Sequence, residues 1–335
     1  MVAGYAPGII TDGGISVALP LSTRLRVGAR LAFSRSLEFV PSTMVRGVRD
    51  RYVAAKKPER TPLAAAAALL RHRPLSPLTE FELPGNPALK FAAVESRLAR
   101  LLYWYGERGY ETGETRWWRR LCQDATSIVE IGANIGYYTV QGASAAPKAR
   151  YTAVEANPES AEIVRRNVAL NELGNVEVIT AAVIDEPGVE TVELALPDQE
   201  RYVAPTGAYL STGTEGIAGR PASRTITVPA MAAEGLLAEA DLIKLDIEGY
   251  EARVLAAARA HLKANRPTIV VEVLKQVPQL RQILRDLVAD GYLAFAIGES
   301  SLHLLTTEQL DSPSPLPRYG SRDVIVVPAE RADRL

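Results

Sequence analysis

The side chains best suited to chemistry in this sequence are acids that lie in or directly after short apolar runs. There are five of them: Glu130, Glu155, Asp246, Glu248 and Glu272. Each run is typical of a β-strand, and the carboxyl ends of parallel strands meet at one edge of a sheet. We therefore expect these acids to converge at one edge. Like charges held together are unfavourable unless they are paired or used, so this convergence predicts a functional site.

A glycine-spaced turn follows the first of these runs. Gly132 and Gly136 bracket Ala-Asn-Ile between an apolar strand and a helix, and glycine lets a backbone approach a ligand closely at a helix N-terminus. Glu155 ends the next strand, where a carboxylate can accept hydrogen bonds from two ribose hydroxyls. A tight turn without a ligand would also explain the glycines, but together with Glu155 they predict a nucleoside site.

The elements that must position these residues alternate between strand and helix from about residue 114. Such alternation is typical of βαβ units and of a mostly parallel sheet. Short strands are predicted earlier, over 81–84 and 89–94. The predicted core strands are 127–132, 150–155, 175–183, 242–246, 268–273, 292–297 and 323–327, with an extra antiparallel strand over 189–196. The predicted helices are 136–145, 158–170, 249–264 and 277–290, and 197–225 is predicted to be a loop over one end of the sheet.

Composition excludes several classes of protein. The chain has 335 residues, of which 47% are hydrophobic and 23% charged, so it can bury a sizeable core. A net charge of -1 argues against a globally basic nucleic-acid binder. The single cysteine, Cys122, excludes an intramolecular disulfide and a cysteine-based zinc site. The sequence shows neither a secretory signal nor an apolar run of about 18 residues, so we expect no membrane span and a cytoplasmic location.

The basic residues are concentrated near the N-terminus. Residues 21–75 contain twelve Lys or Arg and three Asp or Glu. We expect residues 1–77 to form a basic, mainly helical extension, followed by residues 78–335 with lead-in strands over 78–113 and the core from 114. The basic segment could steer an acidic substrate or partner, but no motif accompanies the charge, which favours an Arg-rich solvated layer.

Five motifs, in order and correctly spaced, resemble the FkbM family of S-adenosylmethionine-dependent methyltransferases. They cover 129–139, 154–158, 167–171, 243–251 and 269–272, within a resemblance that spans roughly 80–328. The resemblance implies an α/β Rossmann-like class I methyltransferase fold, with a seven-stranded, mostly parallel sheet and helices on both faces. It also implies that S-adenosylmethionine is the cofactor.

The resemblance further implies roles for individual residues. Residues 130–136 would hold the methionine part of the cofactor, Glu155 its ribose and 181–183 its adenine. Asp246 would lie near the methyl group or the acceptor, and Glu111 matches a family acid that folds over the cofactor. The implied cofactor-binding set is Glu111, Glu130, Gly132, Ala133, Asn134, Gly136, Tyr137, Glu155, Ala156, Asn157, Ala182 and Asp246.

Methyl transfer to a hydroxyl also calls for a group that takes the hydroxyl proton. His72, His261 and His303 do not fall at the predicted strand ends, so Asp246 is the first candidate for a general base or acceptor-positioning residue, followed by Glu272 and Glu248. Carboxylates of Asp246 and Glu272 could bridge a hard cation, but the spacing does not require one and we expect no metal.

The resemblance suggests that the acceptor is a hydroxyl of a sugar, glycolipid or secondary metabolite, in natural product biosynthesis. Carboxyl and nitrogen acceptors, including peptides, stay open, and so does a cofactor-binding module without catalysis. An NAD-dependent oxidoreductase lacks support because the turn is not G-x-G-x-x-G. A nucleic-acid methyltransferase is disfavoured because Asp246-Ile-Glu-Gly249 stands where base methylators commonly have Asn/Asp-Pro-Pro-Tyr. The expected partner is therefore a small-molecule or glycan acceptor and no nucleic acid, and the oligomeric state is not readable.

Overall fold

The structure is a computed structural model, and it describes residues 36–55, 61–197, 208–210, 222–274, 277–312 and 320–335. The predictions for residues 1–35 and for most of the 197–225 loop lie outside these ranges. In the part of the chain that is described, no helix is long and apolar enough to cross a membrane.

The N-terminal part combines helices with a hairpin. Pro62 opens a helix at its first position, where the missing N–H is not needed. The hairpin is antiparallel and contains the two predicted short strands. A short 3-10 helix, Gly106–Gly109, precedes the last helix of this part. The elements are α1 (Ser42–Ala54), α2 (Pro62–Leu70), β1 (Glu80–Leu83), β2 (Asn86–Ala92), α3 (Arg97–Tyr105) and α4 (Thr112–Gln123).

The first half of the core follows the predicted βαβ order. Its elements are β3 (Ser127–Ile131), α5 (Tyr137–Ala145), β4 (Arg150–Glu155), α6 (Pro158–Leu170), β5 (Val176–Thr180) and β6 (Ala182–Ile184). The prediction of one strand over 175–183 is wrong, because the chain leaves the main sheet at Ala181. β5 pairs with β4, whereas β6 pairs in parallel with a strand of a second sheet. Both halves are apolar, so the break leaves no trace in the hydrophobic pattern.

The second sheet lies in the region predicted as an extra strand and a loop. It contains β6, β7 (Thr191–Pro197), β8 (Tyr209–Leu210) and β9 (Ala222–Ala232), in the order β6-β9-β7-β8, and α7 (Ala233–Leu237) follows. The predicted antiparallel strand is confirmed as β7, which pairs with β9. The loop prediction, which rests on the Gly, Pro, Ser and Thr content of 197–225 as a whole, is wrong at 209–210 and 222–225, where the backbone pairs as strand.

The rest of the chain completes the main sheet. Its elements are β10 (Leu242–Leu245), α8 (Glu251–Ala257), α9 (Arg259–Asn265), β11 (Thr268–Glu272), α10 (Pro278–Ala289), β12 (Tyr292–Gly298), β13 (Leu302–Leu304), α11 (Thr307–Asp311) and β14 (Gly320–Pro328). The prediction of one helix over 249–264 is wrong, because Ala258 separates α8 from α9.

The main sheet has the order β13-β12-β14-β11-β10-β3-β4-β5. The five strands from β11 to β5 in that order run parallel, and β14 is antiparallel to both its neighbours. The predicted mostly parallel α/β sheet is therefore confirmed, and the short β13 adds an eighth strand at one edge. Two apolar clusters, one on each face, explain why the central strands are apolar throughout rather than alternating.

Candidate active site

One cavity lies at the carboxyl ends of β3, β4 and β10. Because β3 lies between the other two strands, the turns that follow all three strands meet there. Turns at the carboxyl ends of parallel strands are where ligands of such sheets bind. Nine of the residues proposed from the sequence line this cavity: Gly132, Ala133, Asn134, Tyr137, Glu155, Ala156, Ala182, Asp246 and Glu248.

Gly132 brings two of these turns into contact. Its φ is +90°, and a Cβ at this position would lie 1.9 Å from the carbonyl oxygen of Asp246. The N–H of Asp246 donates to the carbonyl of Ile131 at 3.0 Å, which extends the pairing of β10 with β3 to this point. No side chain fits between the turns, so glycine is required for Asp246 to reach the cavity.

Glu155 is held in place by the backbone around it. Its Oε2 accepts the N–H of Asn134 at 2.7 Å, and its Oε1 accepts the N–H of Asn157 at 2.9 Å. Asn134 has a φ of 54°, so its N–H reaches the next strand end. Glu155 is only 8% exposed, and burial raises the pKa of its carboxyl to about 7 although the hydrogen bonds from both N–H groups lower it. Each oxygen keeps a free lone pair, so the carboxylate can accept two further hydrogen bonds.

Asn134 carries a second signal. Its side-chain oxygen, Oδ1, is buried and has no hydrogen-bond partner in the structure. A buried polar atom without a partner is unfavourable by about 1–3 kcal/mol, so such atoms commonly belong to a ligand site. The oxygen accepts hydrogen bonds only, which suits a donor such as an ammonium group.

Asp246 stands at the same edge of the cavity. Burial raises the pKa of its carboxyl, the positive charge of Lys244 lowers it, and Glu114 raises it further. The carboxyl of Asp246 is therefore a better proton acceptor than an ordinary aspartate, which is useful for a group that takes a proton during a reaction.

Glu251 shapes the turn that carries Glu248 into the cavity. Its Oε1 accepts the N–H groups of Ile247 at 2.9 Å and of Gly249 at 3.1 Å. These bonds stabilise the left-handed conformation of Glu248, whose φ is 53°. The side chain of Glu251 is buried, and burial raises its pKa to about 7. In the sequence Glu251 is indistinguishable from an acid that only complements a helix dipole.

Three other proposed residues support the site without lining the cavity. Gly136 allows α5 and α6 to approach, since a Cβ there would lie 3.1 Å from Val164. Asn157 is the N-cap of α6, where its Oδ1 accepts the N–H of Glu159 at 3.0 Å. Glu130 is buried, and its Oε2 accepts the hydroxyls of Thr139 and Tyr151, each at 2.6 Å.

Glu111 and Glu272 also stand outside the cavity lining. The Oε2 of Glu111 accepts the hydroxyl of Tyr138 at 2.7 Å. Glu272 lies 3.6 Å from Arg322 through its Oε1, and its Oε2 is buried without a hydrogen-bond partner. Burial, followed by the charges of Asp246 and other acids, raises the pKa of Glu272 to about 9. The raised pKa favours the protonated form of Glu272.

Several residues that line the cavity are missing from the sequence-based set. They are mostly aromatic or aliphatic, and include Leu98, Tyr110, Tyr138, Tyr209, Leu210 and Tyr250. Tyr110 and Tyr138 directly neighbour Glu111 and Tyr137, which the resemblance picks out, so adjacency could have indicated them. Leu98 and Tyr250 give no signal that distinguishes them from core residues.

A buried ion cluster lies next to this cavity. Nζ of Lys244 is 3.1 Å from Oε1 of Glu114 and 3.0 Å from Oδ2 of Asp323, and it lies 4.4 Å from the ring centre of Tyr138. Burial lowers the pKa of Lys244, but the two carboxylates raise it well above its usual range. Burial and Glu114 raise the pKa of Asp323. We name Lys244, Glu114 and Asp323 the lysine cluster.

The three histidines do not line the cavity, as the sequence predicts: His72, His261 and His303 belong to other regions. Within the residues that the structure describes, no three His, Cys, Asp or Glu side chains are grouped as metal ligands would be.

Comparison with known proteins identifies the domain. Residues 130–292 match the family model of the methyltransferase FkbM domain. A comparison with curated proteins found no match. Among solved structures, methyltransferase FkbM from Methylobacillus flagellatus KT is 13% identical, with 61% of this chain and 44% of that chain covered and a TM-score of 0.38. This chain thus spans less than half the length of that protein.

Two further structures are similar at comparable identity. Precorrin-6y C5,15-methyltransferase from Geobacter metallireducens GS-15 is 16% identical, with 67% of this chain and 87% of that chain covered and a TM-score of 0.34. An O-methyltransferase from Bacillus cereus, in complex with SAH, is 16% identical, with 64% of this chain and 80% of that chain covered and a TM-score of 0.35. The assignment rests on the family model: residues 130–292 are similar to the methyltransferase FkbM domain, which belongs to the S-adenosylmethionine-dependent class.

Proposed function

We propose that this chain transfers the methyl group of S-adenosylmethionine to a hydroxyl group of a sugar, a glycolipid or a secondary metabolite. The observation that carries the proposal is the anchored carboxylate of Glu155 at one strand end, beside the glycine turn and Asp246 at the neighbouring strand ends. A location in the cytoplasm and a role in making natural products are part of the proposal.

The residues of the cavity fit this cofactor. The free lone pairs of Glu155 suit the two ribose hydroxyls, which can each donate a hydrogen bond to a carboxylate oxygen. The unpartnered Oδ1 of Asn134 suits the ammonium group of the methionine part. Ala181 and Ala182 are small residues beside the cavity, which leaves room for a flat adenine ring.

When bound, the cofactor supplies a methyl group on a positively charged sulfur, which a nucleophile can attack in line. The protein must orient the acceptor hydroxyl and take its proton. Asp246 is the proposed proton acceptor, since it faces the cavity and its pKa is raised. Glu248 faces the cavity as well and is the proposed contact to a second hydroxyl of the acceptor. The raised pKa of Glu272 favours its protonated form, so Glu272 is proposed to donate a hydrogen bond rather than to act as a base.

The proposal assigns the two parts of the chain different tasks. Residues 78–335 would bind the cofactor and perform the reaction. The basic extension, 1–77, and the segment 197–225 would shape the acceptor side, because β8 of that segment lines the cavity at Tyr209 and Leu210.

Titration calorimetry with S-adenosylhomocysteine and with NAD tests the cofactor. We expect micromolar binding of the first and none of the second. Binding of NAD instead, or of neither compound, would contradict the proposal.

A screen of small glycosides and hydroxylated metabolites, with release of S-adenosylhomocysteine as readout, then tests the acceptor. Treatment of the product with alkali separates a hydroxyl from a carboxyl acceptor: a methyl ether survives mild alkali, whereas a methyl ester is hydrolysed. Loss of the methyl group in alkali would show a carboxyl acceptor and contradict this part of the proposal.

A further inference from the structure

Helix α2 is apolar on every side although it lies at the surface of the protein. All its residues are proline, leucine or alanine. Ala67 and Leu70 are buried in one of the two apolar clusters, as the inner side of a surface helix should be. Ala65, Ala68 and Leu69 are exposed, and their spacing of three and four residues places them in one stripe on the opposite side. An apolar stripe that faces solvent is typical of a binding surface.

Other large apolar side chains are exposed in the same part of the chain. Phe39 is 90% exposed, Met44 58% and Leu69 48%, and the fourth large apolar side chain that is exposed in the described chain, Leu304, lies on β13. Single exposed apolar residues are ordinary on protein surfaces, whereas a group of them marks a site of interaction. Three of these four side chains belong to the N-terminal part, so the exposure is grouped rather than scattered.

The packing of the N-terminal part holds this group together. Leu37, in a short 3-10 helix ahead of α1, and Val45, in α1, are both buried, so the segment that carries the exposed side chains is anchored on the protein. Nη2 of Arg73 donates to Oγ of Ser42 at 3.0 Å, which places the end of α2 beside the start of α1. The apolar side chains of the last turn of α2 and the first turn of α1 therefore lie at the same end of the helix pair.

The same helices carry an excess of positive charge. Residues 36–55 and 61–77 contain five arginines and two acids, Glu38 and Asp50. Arg49 pairs with Asp50 at 3.2 Å. Three other arginines are exposed to solvent: Arg46, Arg51 and Arg71. Apolar side chains beside exposed cations fit a partner that is anionic at its surface and apolar beneath, which is the arrangement of a bilayer with anionic headgroups.

Two other occupants match only half of these properties. A second copy of this chain would cover the apolar side chains but would bring like charges together, which is unfavourable. A nucleic acid would engage the arginines through its phosphates, but it supplies no apolar layer for Phe39 and Leu69. The combination of charge and apolar exposure therefore favours a bilayer.

We propose that this face of the N-terminal part docks the protein on an anionic lipid bilayer. We name it the docking surface, and its residues are Phe39, Met44, Ala65, Ala68, Leu69, Arg46, Arg51 and Arg71. The apolar side chains enter the headgroup region, and the arginines pair with lipid phosphates. The inference goes beyond the proposed function, because none of these residues lines the cavity.

Co-sedimentation of the full chain with lipid vesicles tests the docking surface. We expect binding to vesicles of mixed phosphatidylcholine and phosphatidylglycerol to be about tenfold stronger than binding to phosphatidylcholine alone. Phe39→Ser combined with Leu69→Ser should weaken binding to the mixed vesicles about tenfold, because two apolar side chains no longer leave water. Leu304→Ser is the matched control, since Leu304 is as exposed as Met44 but lies on β13, and it should change nothing.

Removal of charge tests the second property of the docking surface. Arg46→Gln combined with Arg71→Gln should weaken binding to the mixed vesicles about thirtyfold, or about fivefold for each arginine, and should not affect binding to phosphatidylcholine alone. Arg150→Gln is the matched control, because Arg150 is 60% exposed and lies outside the N-terminal part. Circular dichroism should be the same for all variants, which excludes unfolding as the cause.

The outcomes separate the bilayer from other partners. Equal binding of the wild type to both kinds of vesicle, binding to neither, or an equal effect of Leu304→Ser would overturn the assignment. Loss of binding in the arginine variant alone would overturn it in favour of an electrostatic partner such as a nucleic acid. Dimers in sedimentation velocity that Leu69→Ser abolishes would overturn it in favour of a contact between two copies. Calorimetry with S-adenosylhomocysteine tests the proposed function separately, and the affinity should be the same in every one of these variants.

Discussion

The cavity and the lysine cluster both gather buried acids beside the same strand, β10, but they balance the charge of those acids differently. In the lysine cluster, two carboxylates share one ammonium group at 3.0–3.1 Å. At the cavity edge, Glu155 and Asp246 form no ion pair with any residue that the structure describes, and Glu155 is held by two backbone N–H groups instead. The charges of the lysine cluster are paired with one another, whereas the acids at the cavity edge keep lone pairs that a ligand can use.

This difference separates structural acids from binding acids. A raised pKa alone does not, because burial raises it at Asp323 and at Glu155 alike. What distinguishes Glu155 and Asp246 is that they face a cavity. Removing charge from the cluster should therefore affect folding, and removing charge from the cavity should affect binding or catalysis.

The largest expected effect is on stability, from Lys244→Met. The substitution leaves two buried carboxyl groups without their cation, and breaking a buried ion pair on one side typically lowers the free energy of unfolding by about 3–5 kcal/mol. Denaturant unfolding measures it. Glu239→Gln is the control, because Glu239 pairs with Arg150 on the surface and its loss should change stability by less than about 1 kcal/mol. If both substitutions lowered the free energy of unfolding by similar amounts, the structural role assigned to the lysine cluster would be wrong.

The next largest effect is on the reaction, from Asp246→Asn. If Asp246 takes the acceptor proton, kcat should fall about 10²–10³-fold while Kd for S-adenosylhomocysteine changes little. Asp333→Asn, at an exposed position near the C-terminus, should leave kcat unchanged. Full turnover by Asp246→Asn would remove Asp246 from the proposed mechanism and leave Glu248 as the remaining acid of the acceptor side.

A smaller effect is expected on cofactor affinity, from Glu155→Gln. The NH2 group of the glutamine amide would face a backbone N–H, which is also a donor. The amide would also accept hydrogen bonds from the ribose hydroxyls more weakly than the carboxylate does. Hydrogen bonds to a charged group contribute about 1.5–3 kcal/mol, so Kd for S-adenosylhomocysteine should rise about 10–100-fold by calorimetry. Glu177→Gln, an exposed glutamate on the neighbouring strand β5, is the matched control. Unchanged affinity in Glu155→Gln would place the ribose elsewhere.

The convergence of the strand-end residues at one cavity was predictable from sequence because its determinants are local. The strand ends at Glu155 and Asp246, and the turn from Gly132 to Asn134, each lie within one motif. The parallel order of the strands then brings the motifs together, and short continuous apolar runs indicate those strands without a structure.

The aromatic lining of the cavity was not predictable, because it depends on contacts between distant segments. Tyr110 enters the cavity through the left-handed turn at Glu111, and nothing in the sequence there calls for such a turn, since the residue is not glycine. Strand β9 was missed where it overlaps the predicted loop, because its first residues extend a span rich in Gly, Pro, Ser and Thr, and its strand conformation follows from pairing with β6 and β7. Lys244 and Asp323 are 79 positions apart, and their pairing follows only from the order of β10, β11 and β14.

The smallest expected effect is a pH dependence that isolates Glu155. Its pKa in the folded protein is about 7, above the ordinary value of 4.5, because burial disfavours the ionised form. The folded, ligand-free protein favours the protonated carboxyl of Glu155, so its stability falls as pH rises from about 4.5 to 7. Ribose hydroxyls are donors and therefore bind the ionised carboxylate better. Affinity for S-adenosylhomocysteine should consequently fall below pH 7, by at most tenfold per pH unit because one proton is involved.

Calorimetry from pH 5.5 to 8 should show this slope in the wild type and in Glu177→Gln, but not in Glu155→Gln. A slope that persists in Glu155→Gln would assign the titration to another buried acid, such as Glu130 or Glu251, whose pKa values are also raised to about 7.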